Sequence, residues 1–310
     1  MRVSLLATAS LMCVVASFAL SGQQTFRGGV QVVLVDASVL RGSTPVTGLR
    51  ADDFVVTDRG ARQRVEAIDP AAMPLDLSLV VDVTWFTSGI FGAAGGPAGT
   101  DTLRRNARQI AELLRPDDRL GVITYAGEVV ETRSMSALGT DPVDVSLANP
   151  TSSQLTNRAR LGQALLTALT APVPTDRRHF VVMFAGARDV LDTPEPEYLI
   201  RVASRADALL YVVLNPARQA IDTHQPFRFW PSEEHIRKTL TRAAEATGGK
   251  AYLTGDIVGA FRDTLKAFRS GYVLRYTLTG VPPAGWHDIV VKIPSCPTCT
   301  IRARRGYMGQ

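Results

Sequence analysis

Leu75-Asp76-Leu77-Ser78-Leu79-Val80-Val81-Asp82-Val83-Thr84-Trp85-Phe86 is the stretch on which the reading of this chain turns. A run rich in Leu and Val stops at an aspartate, then passes into a hydroxyl, two aromatics and a loop holding Gly89, Gly92, Gly95, Gly96 and Gly99. Such a run reads as a strand covered on both faces, the central member of a parallel sheet. Open α/β sheets place their ligands beyond the carboxyl ends of the strands, so the residues after Val81 are the first place to look for function. The glycine loop lacks the Gly-Lys-Ser/Thr ending of a phosphate loop and fits no GxGxxG pattern, which argues against a nucleotide site.

Outward from this strand, helical and extended patterns alternate. A helix over 101–114 puts Leu103, Ala107, Ile110 and Leu114 on one face. Strands are predicted at 119–125 and 128–132, a polar loop at 134–157, a helix at 161–170 and a buried strand at 179–184. A helix over 195–206 and a strand at 209–214 follow, then a long loop over 215–232 holding Phe227, Phe229 and Trp230. Ser232 opens a helix that ends at Gly248-Gly249, 251–253 is a short strand, and Asp256 opens the last helix, with Ile257, Phe261, Leu265 and Phe268 inward. This alternation predicts an α/β fold with a doubly wound, mostly parallel, Rossmann-like sheet. The flanks read as β. Upstream, 30–40 is a strand with Val32, Leu34, Ala37 and Val39 as candidate buried positions, and 62–68 is a returning strand. Downstream, 272–278, 286–293 and 300–304 are three more, so one small β module built from both ends of the chain is expected. The expected division is a signal peptide at 1–22, β segments at 26–70 and 271–310, and the α/β domain at 74–270.

The 310 residues are 45% hydrophobic and 20% charged, with a net charge of +5 from 34 basic and 29 acidic side chains. The arginines are scattered through every element, which argues for a solvated surface and against a nucleic-acid partner. Arg302, Arg304 and Arg305 near the C-terminus read as the outward face of a strand. At the other end, Arg2, the apolar stretch Leu5 to Leu20 and the small residues Ala19, Ser21 and Gly22 read as a cleaved signal. A retained span is the alternative, disfavoured by its short apolar core and the lack of a basic stop. Cys13 follows Leu11-Met12, which does not suit a lipid anchor. Export to the periplasm or the medium is expected, with no membrane span after cleavage. Only Cys296 and Cys299 then remain. Cys296-Pro297-Thr298-Cys299 fits a redox pair, half a zinc site or a small disulfide. No helix pattern follows it, and His179, His224, His235 and His287 complete no zinc spacing. A tight structural disulfide suits an oxidising compartment.

Several segments together resemble the von Willebrand factor type A domain, in particular the secreted bacterial proteins described as VWFA-related. These are Val46-Thr47-Gly48-Leu49 with Asp53-Phe54, the strand ending at Asp82, Pro116-Asp117-Asp118-Arg119, Ala246-Thr247-Gly248-Gly249, Gly271-Tyr272-Val273-Leu274-Arg275-Tyr276 and Arg302-Ala303-Arg304-Arg305-Gly306-Tyr307. The resemblance implies a divalent cation held by Asp-x-Ser-x-Ser, a Thr on a second loop and an Asp on a third. Asp82 keeps the first position and Thr84 a hydroxyl, but Phe86 stands at the second Ser. Ala159 aligns with the Thr and Gly186-Ala187 with the Asp-Gly, with Thr156 three residues early, Asp189 too late, and Arg160 and Arg188 nearby. A degenerate metal-ion-dependent adhesion site is therefore expected, with no resident cofactor; weak residual binding of Mg²⁺ or Mn²⁺ at Asp82 and Thr84 is left open. The expected function is a protein-binding module for a protein or cell-surface ligand, using rim aromatics Trp85, Phe86, Phe227, Phe229 and Trp230. A structural, envelope-assembly role is the alternative. Without a G-x-S-x-G or HExxH motif, a hydrolase is not expected.

Overall fold

The computed structural model describes residues 31–42, 44–68, 73–82, 105–106, 108–138, 160–174, 176–185, 196–214 and 233–309. Strand β1 (Val32–Arg41) alternates strictly, burying Val33, Val35, Ala37 and Val39. Val32 is 54% exposed and Leu34 half-buried, so the expected inward pair shifts by one residue. A period of two cannot serve 32 and 34 together with 37 and 39. The short β2 (Thr44–Pro45) folds back on β1. Strands β3 (Val55–Asp58) and β4 (Ala61–Gln63) form a hairpin whose two loop residues, Arg59 and Gly60, both have positive φ (47° and 83°). That is the turn whose twist matches two paired strands. The returning strand expected over 62–68 is broken at Arg64, and β5 (Val65–Ile68) joins a different sheet from β4.

The central strand, β6 (Leu75–Asp82), is buried at every position. After it come β7 (Arg119–Tyr125) and β8 (Val129–Ala137), the latter running through residues expected as loop. Helix α1 (Leu161–Leu169), β9 (Arg178–Ala185), α2 (Pro196–Arg205), β10 (Leu209–Leu214), α3 (Glu233–Ala246), β11 (Lys250–Leu253) and α4 (Ile257–Arg269) complete the alternation. Residues 105–106 and 108–111 are also helical. The sheet runs β11-β10-β9-β6-β7-β8, parallel except for the antiparallel edge strand β8. Ile110 and the inner face of α4 (Ile257, Phe261, Leu265, Phe268) cover one side of it, packing on Leu75, Leu77, Leu79 and Val81. Each such side chain contributes about 1.5–3 kcal/mol on burial. Helices α1, α2 and α3 cover the other side, around Val80, Val181 and Met183. On this second side β6 presents Asp76, Ser78 and Asp82 in alternation with its apolar residues, and all three are buried.

Strands β12 (Tyr272–Thr277), β13 (Gly285–Lys292), β14 (Thr300–Ala303) and β15 (Gly306–Gly309) close the chain, one more than expected. They interleave with the first strands in two antiparallel sheets, β14-β1-β12-β5 (with β2 on β1) and β15-β13-β3-β4. One core joins these sheets, built from Val33, Val35, Phe54, Val56, Leu274, Tyr276, Ile289 and Tyr307 among others. Cys296 and Cys299 form a disulfide in the turn between β13 and β14. Arg304 does not face outward as expected. It lies just past β14, donating to the Leu34 carbonyl (2.6 Å) and to Asp207 (2.8 Å), and so ties the sandwich to the α/β layer. Among the described residues no helix is long and apolar enough to cross a membrane.

Candidate functional site

Parallel pairing of β6, β7, β9 and β10 sets Asp82, Tyr125, Ala185 and Leu214 at one edge of the sheet. Asp82, the last residue of β6, is fully buried and sits opposite Tyr125. The Tyr125 hydroxyl reaches the Phe184 carbonyl on the far side of β6 at 3.5 Å, so the three strand ends are tied together. Just beyond Tyr125, Arg160 clamps the turn after β7. Its backbone N–H donates to the Ala126 carbonyl (2.8 Å), its Nε to the Gly127 carbonyl (2.8 Å) and a terminal nitrogen to Gln163 (3.1 Å). The guanidinium is thus fixed at Gly127, two residues past the strand position that faces Asp82. The other residues predicted for this site, Thr84, Trp85, Phe86, Phe227, Phe229 and Trp230, lie outside the described residues, as do Thr156, Ala159, Arg188 and Asp189. Among the described residues no group of three or more His, Cys, Asp or Glu side chains is placed to hold a metal ion.

The opposite, amino edge carries most of the sheet's charge. Asp76 is buried between Arg119 (Nε at 2.8 Å) and Arg177, whose guanidinium also donates to the Leu75 and Asp117 carbonyls. Burial alone would raise the Asp76 pKa, but these two guanidinium groups outweigh it and hold the carboxyl below its ordinary value. Asp118 accepts from the Leu75 and Arg115 backbones and from Arg269, so the acid of the Pro-Asp-Asp-Arg segment braces the strand start. His179 faces Asp76 across the β6–β9 ladder and meets Ser78 at 3.1 Å. Ser78, His179 and Asp76 share the composition of a hydrolytic triad without its geometry: all three are buried, and the Asp76 carboxylate is bound by arginines. Burial pushes the His179 pKa down to about 4, only partly offset by Asp76 and Asp207, so the ring is neutral at pH 7.

A third polar cluster went unread in the sequence. Asp58, fully buried in the sandwich, accepts from Tyr276 (2.7 Å), Tyr307 (3.0 Å) and His287 Nδ1 (2.6 Å), while His287 Nε2 faces the Pro283 carbonyl at 3.1 Å. Burial, and then the bond to Asp58, raise both tyrosine pKa values. Alternation was the available signal, since Asp58 continues the inward positions of Phe54 and Val56, and His287 those of Ile289.

No protein-family model matches this chain, and no curated protein does. Solved structures that resemble it do so distantly. An aerotolerance-related membrane protein from Bacteroides fragilis superposes with a TM-score of 0.44 and 10% identity, over 63% of this chain and 98% of that one. Proximal thread matrix protein 1 from the mussel byssus, with a zinc-occupied MIDAS motif, gives 0.47 and 12%, over 69% of this chain and 50% of that one. A von Willebrand factor type A protein from Catenulispora acidiphila gives 0.44 and 10%, over 92% of this chain and 65% of that one. The strand order is read from the pairing alone, independently of these superpositions. In chain order the sheet reads 3-2-1-4-5-6, the doubly wound arrangement, with its third strand reversed at the edge. The fold is von Willebrand factor type A-like. Open α/β sheets meet their ligands beyond the carboxyl ends of the strands, and here the end of β6 holds Asp82.

Proposed function

We propose that this chain is an exported, non-enzymatic protein-binding module whose metal-ion-dependent adhesion site is degenerate, so that it holds its ligand without a resident cation. The observation that carries this reading is Arg160. Its guanidinium is held on the Gly127 carbonyl, two residues past the position opposite Asp82, and so brings positive charge to the edge beyond which a cation would sit. Like charges repel, here through solvent because Arg160 is exposed. The donor set points the same way. Mg²⁺ asks for six oxygens and gives up water reluctantly. Asp82 is one buried carboxylate, Thr84 offers one hydroxyl, and the Phe86 side chain offers no oxygen. The residues present do not suit a divalent ion. Recognition then falls to apolar contact and hydrogen bonding by the loops beyond Asp82 and Leu214, which carry Trp85, Phe86, Phe227, Phe229 and Trp230.

The test is ligand capture from an envelope extract by immobilised protein, with and without a chelator. Equal yields in the two arms are expected. Capture that disappears on chelation and returns with Mg²⁺ would overturn the proposal.

A further inference from the structure

We propose that Cys296–Cys299 is a thiol–disulfide exchange site, attacked at Cys299 by a thiolate of a dithiol protein and releasing Cys296 as a thiolate stabilised by Arg41. This goes beyond the binding role and does not depend on it.

The two sulfurs of this disulfide have different surroundings. Cys296 is 7% exposed and belongs to the sandwich core, whereas Cys299 is half-buried and next to the exposed residues Pro297 and Thr298. Arg41, the last residue of β1, directs a guanidinium nitrogen to Cys296 Sγ at 3.5 Å. A cation gains little from a neutral disulfide sulfur but stabilises a thiolate, and a better-stabilised thiolate leaves faster. The bond is thereby polarised, with the less buried Cys299 as the point of attack and the sulfur beside Arg41 as the leaving group. The turn stays closed without the covalent link, because the Cys299 N–H donates to the Cys296 carbonyl (3.1 Å) and the Cys296 N–H to the Ile293 carbonyl (3.0 Å). Backbone hydrogen bonds thus keep the dithiol form ready to reclose. With only two residues between the cysteines, the link removes little chain entropy and is a weak staple.

In the exchange, the incoming thiolate forms a bond to Cys299 Sγ while the Cys296–Cys299 bond breaks, its electron pair passing to Cys296 Sγ. The second thiolate of the donor then attacks the donor's own sulfur in the mixed disulfide. Cys299 leaves as a thiolate, the donor is oxidised by two electrons, and the Cys296/Cys299 pair is reduced. With a monothiol such as glutathione the second attack comes from another donor molecule, and until it does the Cys296 thiolate can reattack Cys299 and expel the incoming group.

The experiment follows reduction of the full chain by reduced glutathione under native conditions, with acid quench, alkylation of free thiols and mass spectrometry. Circular dichroism tracks the fold throughout. The expected result is reduction with the fold retained, passing through a glutathione adduct on Cys299. Arg41→Gln is expected to slow reduction about three- to tenfold, and Arg41→Lys to restore most of the rate. A disulfide that opens only when the protein unfolds, an adduct on Cys296, or folded Arg41→Gln protein reduced at the wild-type rate would each overturn the assignment.

Discussion

The two edges of the parallel sheet are built differently. At the amino edge, Asp76, Asp118, Arg119, Arg177, Arg178 and Arg269 are bound to one another, to Asp36 and to backbone carbonyls. At the carboxyl edge, among the described residues, Asp82 is buried and Arg160 is held only by two backbone groups and Gln163. Arg178 shows the contrast well. Its guanidinium lies 3.6 Å above the Phe268 ring and pairs with Asp36, so one cation joins β9, α4 and β1. Charge at the amino edge is thus committed to holding elements together. The carboxyl edge keeps its strand ends tied, and the proposed function gives recognition to the segments that follow them.

Substitutions at the two edges would sharpen this contrast. The largest effect is expected for Asp76→Asn, which removes the buried counter-charge shared by Arg119 and Arg177. Breaking a buried pair in this way costs roughly 3–5 kcal/mol, measurable as a lowered urea midpoint. A loss below 1 kcal/mol would mean the cluster is better hydrated than its burial indicates.

Next comes acid. His179 has a folded pKa of about 4 against an ordinary 6.5, so the unfolded chain binds its proton first as pH falls. Stability is therefore complete above about pH 6.5 and drains away toward pH 4, by about 3 kcal/mol at 1.36 kcal/mol per pKa unit. The lowered Asp76 pKa adds a further loss below its ordinary value of 3.8. His179→Gln should flatten the pH dependence between 6.5 and 4 in urea unfolding. An unchanged slope would assign that window to other groups.

Carboxyl-edge changes should be milder. Asp256 caps α4 by accepting from the Gly259 N–H at 2.8 Å, and Asp256→Ala is expected to cost about 1 kcal/mol. Arg160→Ala, at an exposed position, should cost only about 0.5 kcal/mol. Thermal unfolding of both variants checks the ranking, and a carboxyl-edge loss as large as that of Asp76→Asn would break the comparison.

Much of this architecture was legible because its signals are local. The Leu75–Val81 run, the Asp256 cap and the inward face of Ile257, Phe261, Leu265 and Phe268 all stand where hydrophobic periodicity puts them. The sequence pattern ends β8 at 132, because Ser134 and Ser136 look like loop. In the fold Arg133 pairs with the Leu120 and Ala137 carbonyls at the sheet's edge, where polar side chains cost little. The break at Arg64 was illegible for another reason, since partners more than two hundred residues away decide it: β5 pairs with β12 and β4 follows β3 onto β13. The buried partners of Asp58 and the Arg41–Cys296 contact are long-range for the same reason. Of the predicted site only Asp82 lies among the described residues, together with the disulfide pair, and nothing local in the sequence marks Arg160 as more than a nearby charge.

Whether the carboxyl edge can hold a cation is decided by calorimetric titration of the purified protein with Mg²⁺, Mn²⁺ and Ca²⁺. The prediction is that no ion binds more tightly than about millimolar. Saturable micromolar binding that Asp82→Asn abolishes would contradict it.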